Sequence, residues 1–161
     1  MGNFELAAAA LALIFWIGFC HRAPSWPKSL IKTGSVALLA LAALPLGMPL
    51  LVAALALGAL GDFCLSRPGD RWFLAGMGAF GAAHLAYLAL LWPLMDAPRL
   101  WALLLLLGFG AVMAGLLWQR AGALRGPVLV YVAVILAMGA AASALPLAQG
   151  HGVLILAALL F

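Results

Sequence analysis

Six long apolar stretches, each followed by a short turn or loop, decide what this sequence can fold into. A helix that crosses the hydrocarbon core of a bilayer needs about 20 apolar residues, and about 17 are tolerated. The stretches have or approach that length and cover residues 4–20, 29–44, 50–66, 72–92, 100–118 and 127–144. A seventh, residues 153–161, gives only about 14 Å of helix. We predict an all-α, polytopic transmembrane helix bundle with six full spans and a partial seventh, forming a single domain over residues 1–161.

The composition excludes a soluble domain. Hydrophobic residues make up 68% of the chain and charged residues 7%, and the mean hydropathy is +1.24. A soluble protein of this size could not wet its surface with so few polar groups. Because the charges are so few, the net charge of +4 does not indicate nucleic acid as a partner. The expected partner is the lipid bilayer.

The basic residues predict the orientation in the membrane. Seven of the eight lie in or beside the loops that follow the first, third and fifth spans; they are Arg22, Lys28, Lys32, Arg67, Arg71, Arg120 and Arg125. Only Arg99 lies on the other side. Basic residues concentrate in cytoplasmic loops, so these loops are expected in the cytoplasm and the N-terminus outside.

Asp62 is the one acidic residue of four that a loop or a chain end does not explain. A carboxylate at a helix centre costs roughly 2.5–3.5 kcal/mol on insertion scales and less near the ends, so such residues usually face the bundle interior. The orientation places Asp62 near the cytoplasmic end of the third span, roughly 6 Å from Ser66 by helical rise. Lys32, on the second span, lies at a similar depth. The two are predicted to pair.

Three further polar residues are expected in or near the same half of the membrane. His84 lies at the midplane of the fourth span, and Tyr87 lies on the same face one turn further out. Tyr131 follows Pro127 by about one turn on the cytoplasmic side of the sixth span. These residues, with Lys32 and Asp62, are the candidate site.

Each candidate also has a structural explanation, which the sequence leaves open. Lys32 could extend to the lipid headgroups. His84 could be a core histidine bonded to a backbone carbonyl, and either tyrosine could be a packing residue. Asp62 could cap a helix or form a purely structural pair.

No metal or cofactor is expected. His21, His84 and His151 lie at the inner face, the midplane and the outer face, and no two have the i, i+3 or i, i+4 spacing of a helical metal site. There is no glycine-rich phosphate loop and no G-x-S-x-G motif.

The chain resembles the YhhN-like lysoplasmalogenases, a family of integral membrane enzymes. The resemblance begins with Lys32 early in the second span and continues through the segments Leu-Gly-Asp-Phe-Cys-Leu at 60–65, Pro-Gly-Asp-Arg at 68–71, Phe-Leu-Ala-Gly at 73–76 and Phe-Gly-Ala-Ala-His-Leu-Ala-Tyr at 80–87. The start of the sixth span, residues 127–131, also fits. The family implies eight helices in the full-length protein and location in the bacterial inner (plasma) membrane.

The sequence departs from the family pattern in two places. Thr33 follows Lys32 where members usually have proline. Members also continue past an apolar Leu-Leu-Phe stretch into a second aspartate and a further helix, whereas this sequence stops at Phe161. We therefore expect the recorded chain to be shortened at its C-terminus and to lack the family's second acidic residue.

The resemblance implies hydrolysis of the vinyl ether bond of lysoplasmalogens to a fatty aldehyde and a glycerophospho-ethanolamine or -choline. Vinyl ethers hydrolyse by protonation at carbon, and water captures the resulting oxocarbenium ion. This chemistry needs a general acid and a second carboxylate that stabilises the cation or activates water. Asp62 and His84 are the candidate catalytic residues. Lys32, Tyr87 and Tyr131 are the candidate substrate-binding residues.

Two other functions remain open at this point. In a small proton-coupled transporter or exporter subunit, Asp62 would carry protons and Lys32 would be its counter-ion. That reading predicts internal repeats, and the recorded residues contain none. A purely structural membrane subunit is the third possibility, against which a carboxylate inside the membrane argues.

Overall fold

In the computed structural model of the protein, residues 2–97 and 99–146 are described, and every regular element among them is helical. The six α-helices are α1 (Asn3–Ile14), α2 (Trp26–Ala43), α3 (Pro49–Leu65), α4 (Asp70–Leu91), α5 (Leu100–Arg120) and α6 (Arg125–Ser143). A π-helical turn, Phe15–Phe19, extends α1. The predicted all-α class is confirmed for the described residues. The partial seventh span at 153–161 and His151 lie outside them.

Within residues 2–97 and 99–146, four helical segments are long and apolar enough to cross a membrane: Trp26–Leu46, Asp70–Leu94, Leu100–Arg120 and Gly122–Ser143. Two shorter apolar segments, Asn3–Phe19 and Pro49–Leu65, occupy the first and third predicted spans. The structure therefore supports a multi-helix membrane protein. The count of six full spans stays a prediction.

More prolines lie in the first turns of helices than the sequence pattern indicated. We expected Pro27 to lie in a break, but α2 begins at Trp26, with Pro27 in its first turn. Proline is tolerated there because a first-turn N–H has no partner within the helix. Pro127 likewise lies in the first turn of α6, which begins two residues earlier at Arg125. The turn before α3 contains Gly47 at φ 65°, a left-handed conformation that glycine adopts without strain.

The described residues divide into two compact units between Ala86 and Tyr87. In the first unit α1 packs on α2, and α2 packs on α3. Helices α3 and α4 approach closely at two glycines. A β-carbon at Gly61 would lie 2.6 Å from the Phe80 ring, and one at Gly76 would lie 3.1 Å from the Gly61 carbonyl oxygen.

In the second unit α5 packs on α6. A β-carbon at Gly139 would lie 3.0 Å from the Leu106 side chain. Arg99, just before α5, donates to the carbonyl oxygens of Ser143 and Leu145 at the end of α6, the latter at 3.0 Å. The start of α5 is thereby joined to the end of α6. Organisation of the two units as one domain stays a prediction.

Small residues fill the interior, and large ones cover the outside. The buried hydrophobic residues are mostly alanines, among them Ala8, Ala54 and Ala83. The exposed ones include Ile17, Leu105 and many other leucines and tryptophans. Lipid tails are as apolar as leucine, so the burial of large apolar side chains does not drive helices together in a membrane. Helices there associate through close packing of their backbones at small residues. The distribution is therefore that of a membrane protein.

Candidate functional site

Asp62 lies in the last turn of α3, and it is 8% exposed. Helix α3 continues to Leu65, and the Ser66 amide donates to the Asp62 carbonyl oxygen at 3.2 Å. Asp62 therefore belongs to the helix and not to the following turn. Its neighbours on α3 that are also buried, Gly61 and Cys64, place it on the packed side of the helix.

The Lys32 Nζ lies 2.7 Å from Oδ1 of Asp62. The predicted pairing of these two side chains is confirmed. Their environments differ, because the side chain of Asp62 is 10% exposed and that of Lys32 is 36% exposed. The lysine thus runs along the surface of α2 and ends on the buried carboxylate. A charge-assisted contact of this length is stronger than a neutral hydrogen bond and fixes the orientation of the carboxylate.

A hydroxyl group without a partner lies next to Lys32 in the sequence. Oγ1 of Thr33 is buried and has no hydrogen-bond partner among the described residues. Neighbouring hydroxyls on α2 are satisfied within the helix: Ser29 Oγ donates to the Ser25 carbonyl at 3.0 Å, and Ser35 Oγ donates to that of Lys32 at 2.8 Å. Thr33 therefore offers a donor and acceptor that is not used by the helix. This is the position where the family pattern has proline.

His84 is 2% exposed on α4, and its Nδ1 lies 2.6 Å from the carbonyl oxygen of Phe80. A carbonyl only accepts, so Nδ1 carries the hydrogen, and in the neutral ring Nε2 is the acceptor. The structural explanation of His84, a core histidine bonded to a backbone carbonyl, is thus confirmed. The ring of Phe80 also packs against Gly61, the residue before Asp62. His84 is therefore bonded to the residue that forms the α3–α4 contact.

The two remaining candidate residues are tyrosines. Tyr87 is half-buried on α4, one turn beyond His84. Tyr131 is half-buried on α6 in the second unit. Their roles stay predictions, as do the catalytic roles of Asp62 and His84.

The structure brings together a cluster around Arg67 that the sequence pattern did not predict. The Arg67 guanidinium lies 3.8 Å from the ring centroid of Trp26 and 5.1 Å from that of Phe63. Phe63 packs against Trp26 at 6.4 Å and edge-on against Trp72 at 6.0 Å. The signal was present in the sequence, because two tryptophans and an arginine lie at the same predicted membrane face. We call these four residues the Arg67 aromatic cluster.

No group of three or more histidine, cysteine or acidic side chains that could hold a metal ion is found in the described part of the chain. The site as observed is thus an ion pair between two helices, with a buried histidine on a third. Carboxylate, ammonium and imidazole groups can bind, orient and transfer protons without a metal.

An apolar helical architecture with an ion pair between membrane helices defines a class, the multi-pass membrane proteins with a charged interior site. The YhhN family profile matches residues 27–161, and the chain belongs to that family. The match begins just before Lys32 and includes every candidate site residue.

Curated relatives agree with this assignment. The chain is 30% identical over 137 residues to the uncharacterized membrane protein YhhN of Escherichia coli O6:H1, and equally to those of Escherichia coli O157:H7 and Shigella flexneri. Each alignment covers 80% of this chain and 65% of the relative. The chain thus spans about two thirds of the length of the curated relatives it matches. No solved structure matches.

Proposed function

We propose that the protein hydrolyses the vinyl ether bond of a lysoplasmalogen, releasing a fatty aldehyde and a glycerophospho-ethanolamine or -choline. The observation that carries the proposal is the contact of 2.7 Å between Lys32 and Asp62, with the carboxylate buried on α3. The resemblance to lysoplasmalogenases supplies the reaction. The ion pair supplies a carboxylate of fixed orientation inside a membrane protein, where a lipid substrate is present.

The reaction has three steps. A general acid protonates the alkenyl carbon that is not bonded to oxygen, giving an oxocarbenium ion. Water adds to the cation and loses a proton, which gives a hemiacetal. The hemiacetal collapses: its hydroxyl loses a proton as the carbonyl bond forms, the bond from carbon to the glycerol oxygen breaks, the glycerol oxygen receives a proton, and the aldehyde leaves. One water molecule is consumed.

We assign Asp62 the role of the carboxylate that acts on the cation in these three reaction steps. In contact with Lys32, its carboxylate stabilises the oxocarbenium ion and accepts the proton of the attacking water. The general acid is then a second group, and the family pattern implies an aspartate for it. This division follows that of paired carboxylates in glycoside hydrolysis, where one donates a proton and the other acts on the cation.

The remaining candidates have supporting roles. Lys32 orients Asp62 through their direct contact. His84, whose Nδ1 is bonded to the Phe80 carbonyl, is assigned the orientation of water or substrate. Tyr87 and Tyr131 are assigned contacts to the lysophospholipid.

The membrane arrangement belongs to the same proposal. Six full spans with an outside N-terminus, in a bacterial inner membrane, would place Asp62 and Lys32 toward the cytoplasmic leaflet. The support is the distribution of the basic residues between the loops. Cysteine labelling from either side of the membrane would test it, since Cys20 is exposed and belongs to the predicted cytoplasmic face.

The activity is tested with the full-length protein and a synthetic 1-alkenyl-glycerophosphoethanolamine. Released aldehyde is measured for the wild type, for Asp62→Asn and for Asp70→Asn. Asp70 is exposed in the first turn of α4, so its variant controls for the loss of a carboxylate. We expect Asp62→Asn to lose roughly 100-fold or more in kcat, the usual contribution of acid–base catalysis, and Asp70→Asn to retain full activity. Absence of aldehyde from the folded wild-type protein would refute the proposed reaction.

Proton-coupled transport is the second candidate, since a buried carboxylate paired with a lysine is also the arrangement of a proton carrier. Proteoliposomes containing a pH-sensitive dye would distinguish the two. Proton movement that depends on a solute and is lost in Asp62→Asn, together with no aldehyde release, would favour transport.

A further inference from the structure

We propose that Arg67, held in the Arg67 aromatic cluster, binds the phosphate of the lysophospholipid substrate. This inference rests on the proposed function, because it names the group that binds the polar end of the same substrate. Lys32 is the cation that the sequence predicts for substrate binding. The structure favours Arg67 because the two cations differ in what they already contact.

Arg67 has hydrogen-bond donors that no residue in the described ranges accepts. Its Nε and Nη2 are buried and have no hydrogen-bond partner among the described residues, and no carboxylate there pairs with the guanidinium. Unsatisfied buried donors are rare in native proteins, and each calls for an explanation such as an absent ligand. An anion with several acceptor oxygens would satisfy both nitrogens at once.

The ring of Trp26 holds the guanidinium by its face. At 3.8 Å from the centroid the contact is a close cation–π interaction, and Phe63 adds a second ring at 5.1 Å. Stacking occupies the faces of the planar group and leaves its N–H edges for hydrogen bonds, so a stacked arginine still matches a phosphate in two-point geometry. Arg67 is therefore positioned before a ligand arrives.

Two other cations of the first unit that lie near this face are held by oxygen acceptors. Lys32 is bound to Asp62 at 2.7 Å. The Nζ of Lys28 donates to the carbonyl oxygens of Cys20 at 3.0 Å and Arg22 at 2.6 Å. Arg67 is thus a cation held in place by aromatic rings and not by an acceptor. That is the property a phosphate site requires.

Asp62 and Arg67 lie where a single lipid molecule can contact both residues. Arg67 follows Asp62 by five residues and lies just beyond the end of α3 at Leu65. Both contact α2, Asp62 at Lys32 and Arg67 at Trp26, so they lie along the same α2–α3 contact. In a lysoplasmalogen only the glycerol carbons and one ester oxygen separate the vinyl ether from the phosphorus. A lipid with its phosphate on Arg67 would therefore have its vinyl ether near the depth of Asp62.

The test measures binding separately from turnover. Full-length protein in nanodiscs is titrated with two saturated, non-hydrolysable ligands, 1-O-alkyl-glycerophosphoethanolamine and 1-O-alkyl-glycerol, and binding is followed by tryptophan fluorescence. Arg67→Ala, Arg67→Lys and the control Arg71→Ala are compared. Arg71 is exposed at the start of α4, so it matches the charge and the membrane face without the aromatic contacts.

We expect Arg67→Ala to bind the phosphate ligand roughly 10- to 100-fold more weakly, the effect of one charge-assisted hydrogen-bonded contact. Its affinity for the alkylglycerol should be unchanged, which also shows that the variant is folded. Arg67→Lys should fall between, and Arg71→Ala should match the wild type. Equal loss for both ligands, or no loss for either, would overturn the proposal.

Competition distinguishes the sources of the phosphate. Displacement by a lysophospholipid, but not by inorganic phosphate or by two-chain phosphatidylethanolamine, is expected. Equal displacement by the two-chain lipid would make Arg67 a general anchor to the bilayer and overturn its role in substrate binding. In the aldehyde assay Arg67→Ala should raise KM and leave kcat little changed. If the wild type releases no aldehyde, the proposed reaction fails, while the binding titration still decides the phosphate site.

Discussion

Gly61 and Phe80 are in such close contact that the space for a β-carbon on Gly61 is already taken by the Phe80 ring. The nearest ring atom would lie 2.6 Å from the added carbon. Gly61 precedes Asp62, and the Phe80 carbonyl accepts the bond from His84. The position of the Asp62 carboxylate relative to α4 therefore requires a residue without a β-carbon at position 61.

Substitution of Gly61 by alanine should separate α3 from α4. Overpacking a filled site typically costs about 1–3 kcal/mol, and we expect a loss of that size together with reduced activity. Gly78→Ala is the control, since nothing lies within 4 Å of its added carbon. Thermal unfolding in detergent compares the two. A Gly61→Ala protein as stable as Gly78→Ala would show that the helices are not in tight contact.

Breaking the ion pair from the lysine side should destabilise the protein more than removing both charges. Lys32→Met leaves the Asp62 carboxylate buried without its partner. Since Lys32 is 36% exposed, the loss of stability should be larger than that for an exposed ion pair, about 1 kcal/mol, and smaller than that for a fully buried one, about 3–5 kcal/mol. The double variant Lys32→Met/Asp62→Asn should recover most of the loss. A double variant that unfolds as readily as Lys32→Met would contradict this account of the pair.

Arg99 should stabilise the second unit by joining the start of α5 to the end of α6. Arg99→Met removes its bonds to the Ser143 and Leu145 carbonyls, and hydrogen bonds from a charged group contribute about 1.5–3 kcal/mol. Arg120→Met is the comparison, because Arg120 is exposed at the other end of α5. Hydrogen exchange of the α6 C-terminal amides should speed up in the first variant only.

Lys28 should act as a helix cap as well as a charge that sets orientation. Its ammonium satisfies the Cys20 and Arg22 carbonyl oxygens, which follow the π-helical turn Phe15–Phe19. Lys28→Met should cost about 1 kcal/mol by the net value of exposed hydrogen bonds. Lys28→Arg keeps the charge and should recover part of the loss. If Lys28→Met were as stable as the wild type, Lys28 would act only through its charge and not as a helix cap.

The helices and the ion pair could be read from the sequence for physical reasons that are easy to state. Apolar length and intervening turns locate the helices, and counting residues from each helix end gave Lys32 and Asp62 the same depth. Depth alone brings such charges together, because inside a membrane they have few other partners.

Other features could not be predicted, since they depend on the rotation of each helix about its axis. The stacking of Arg67 on Trp26 requires a particular face of α3 to meet the first turn of α2, and the sequence does not fix that angle. The bond from His84 to Phe80 was foreseen only as one alternative. The start of α2 at Trp26 was missed because a proline in a first turn and a proline in a loop look alike in sequence.

The distribution of small residues inside and large residues outside also predicts how the sequence can change. The exposed leucines on α5, such as Leu104 and Leu105, are expected to face lipid, where any apolar side chain serves. A buried alanine such as Ala54 has no space for a larger group and gains nothing from a smaller one. Mutational tolerance in this protein should therefore rise with side-chain size, the reverse of the trend in water-soluble proteins.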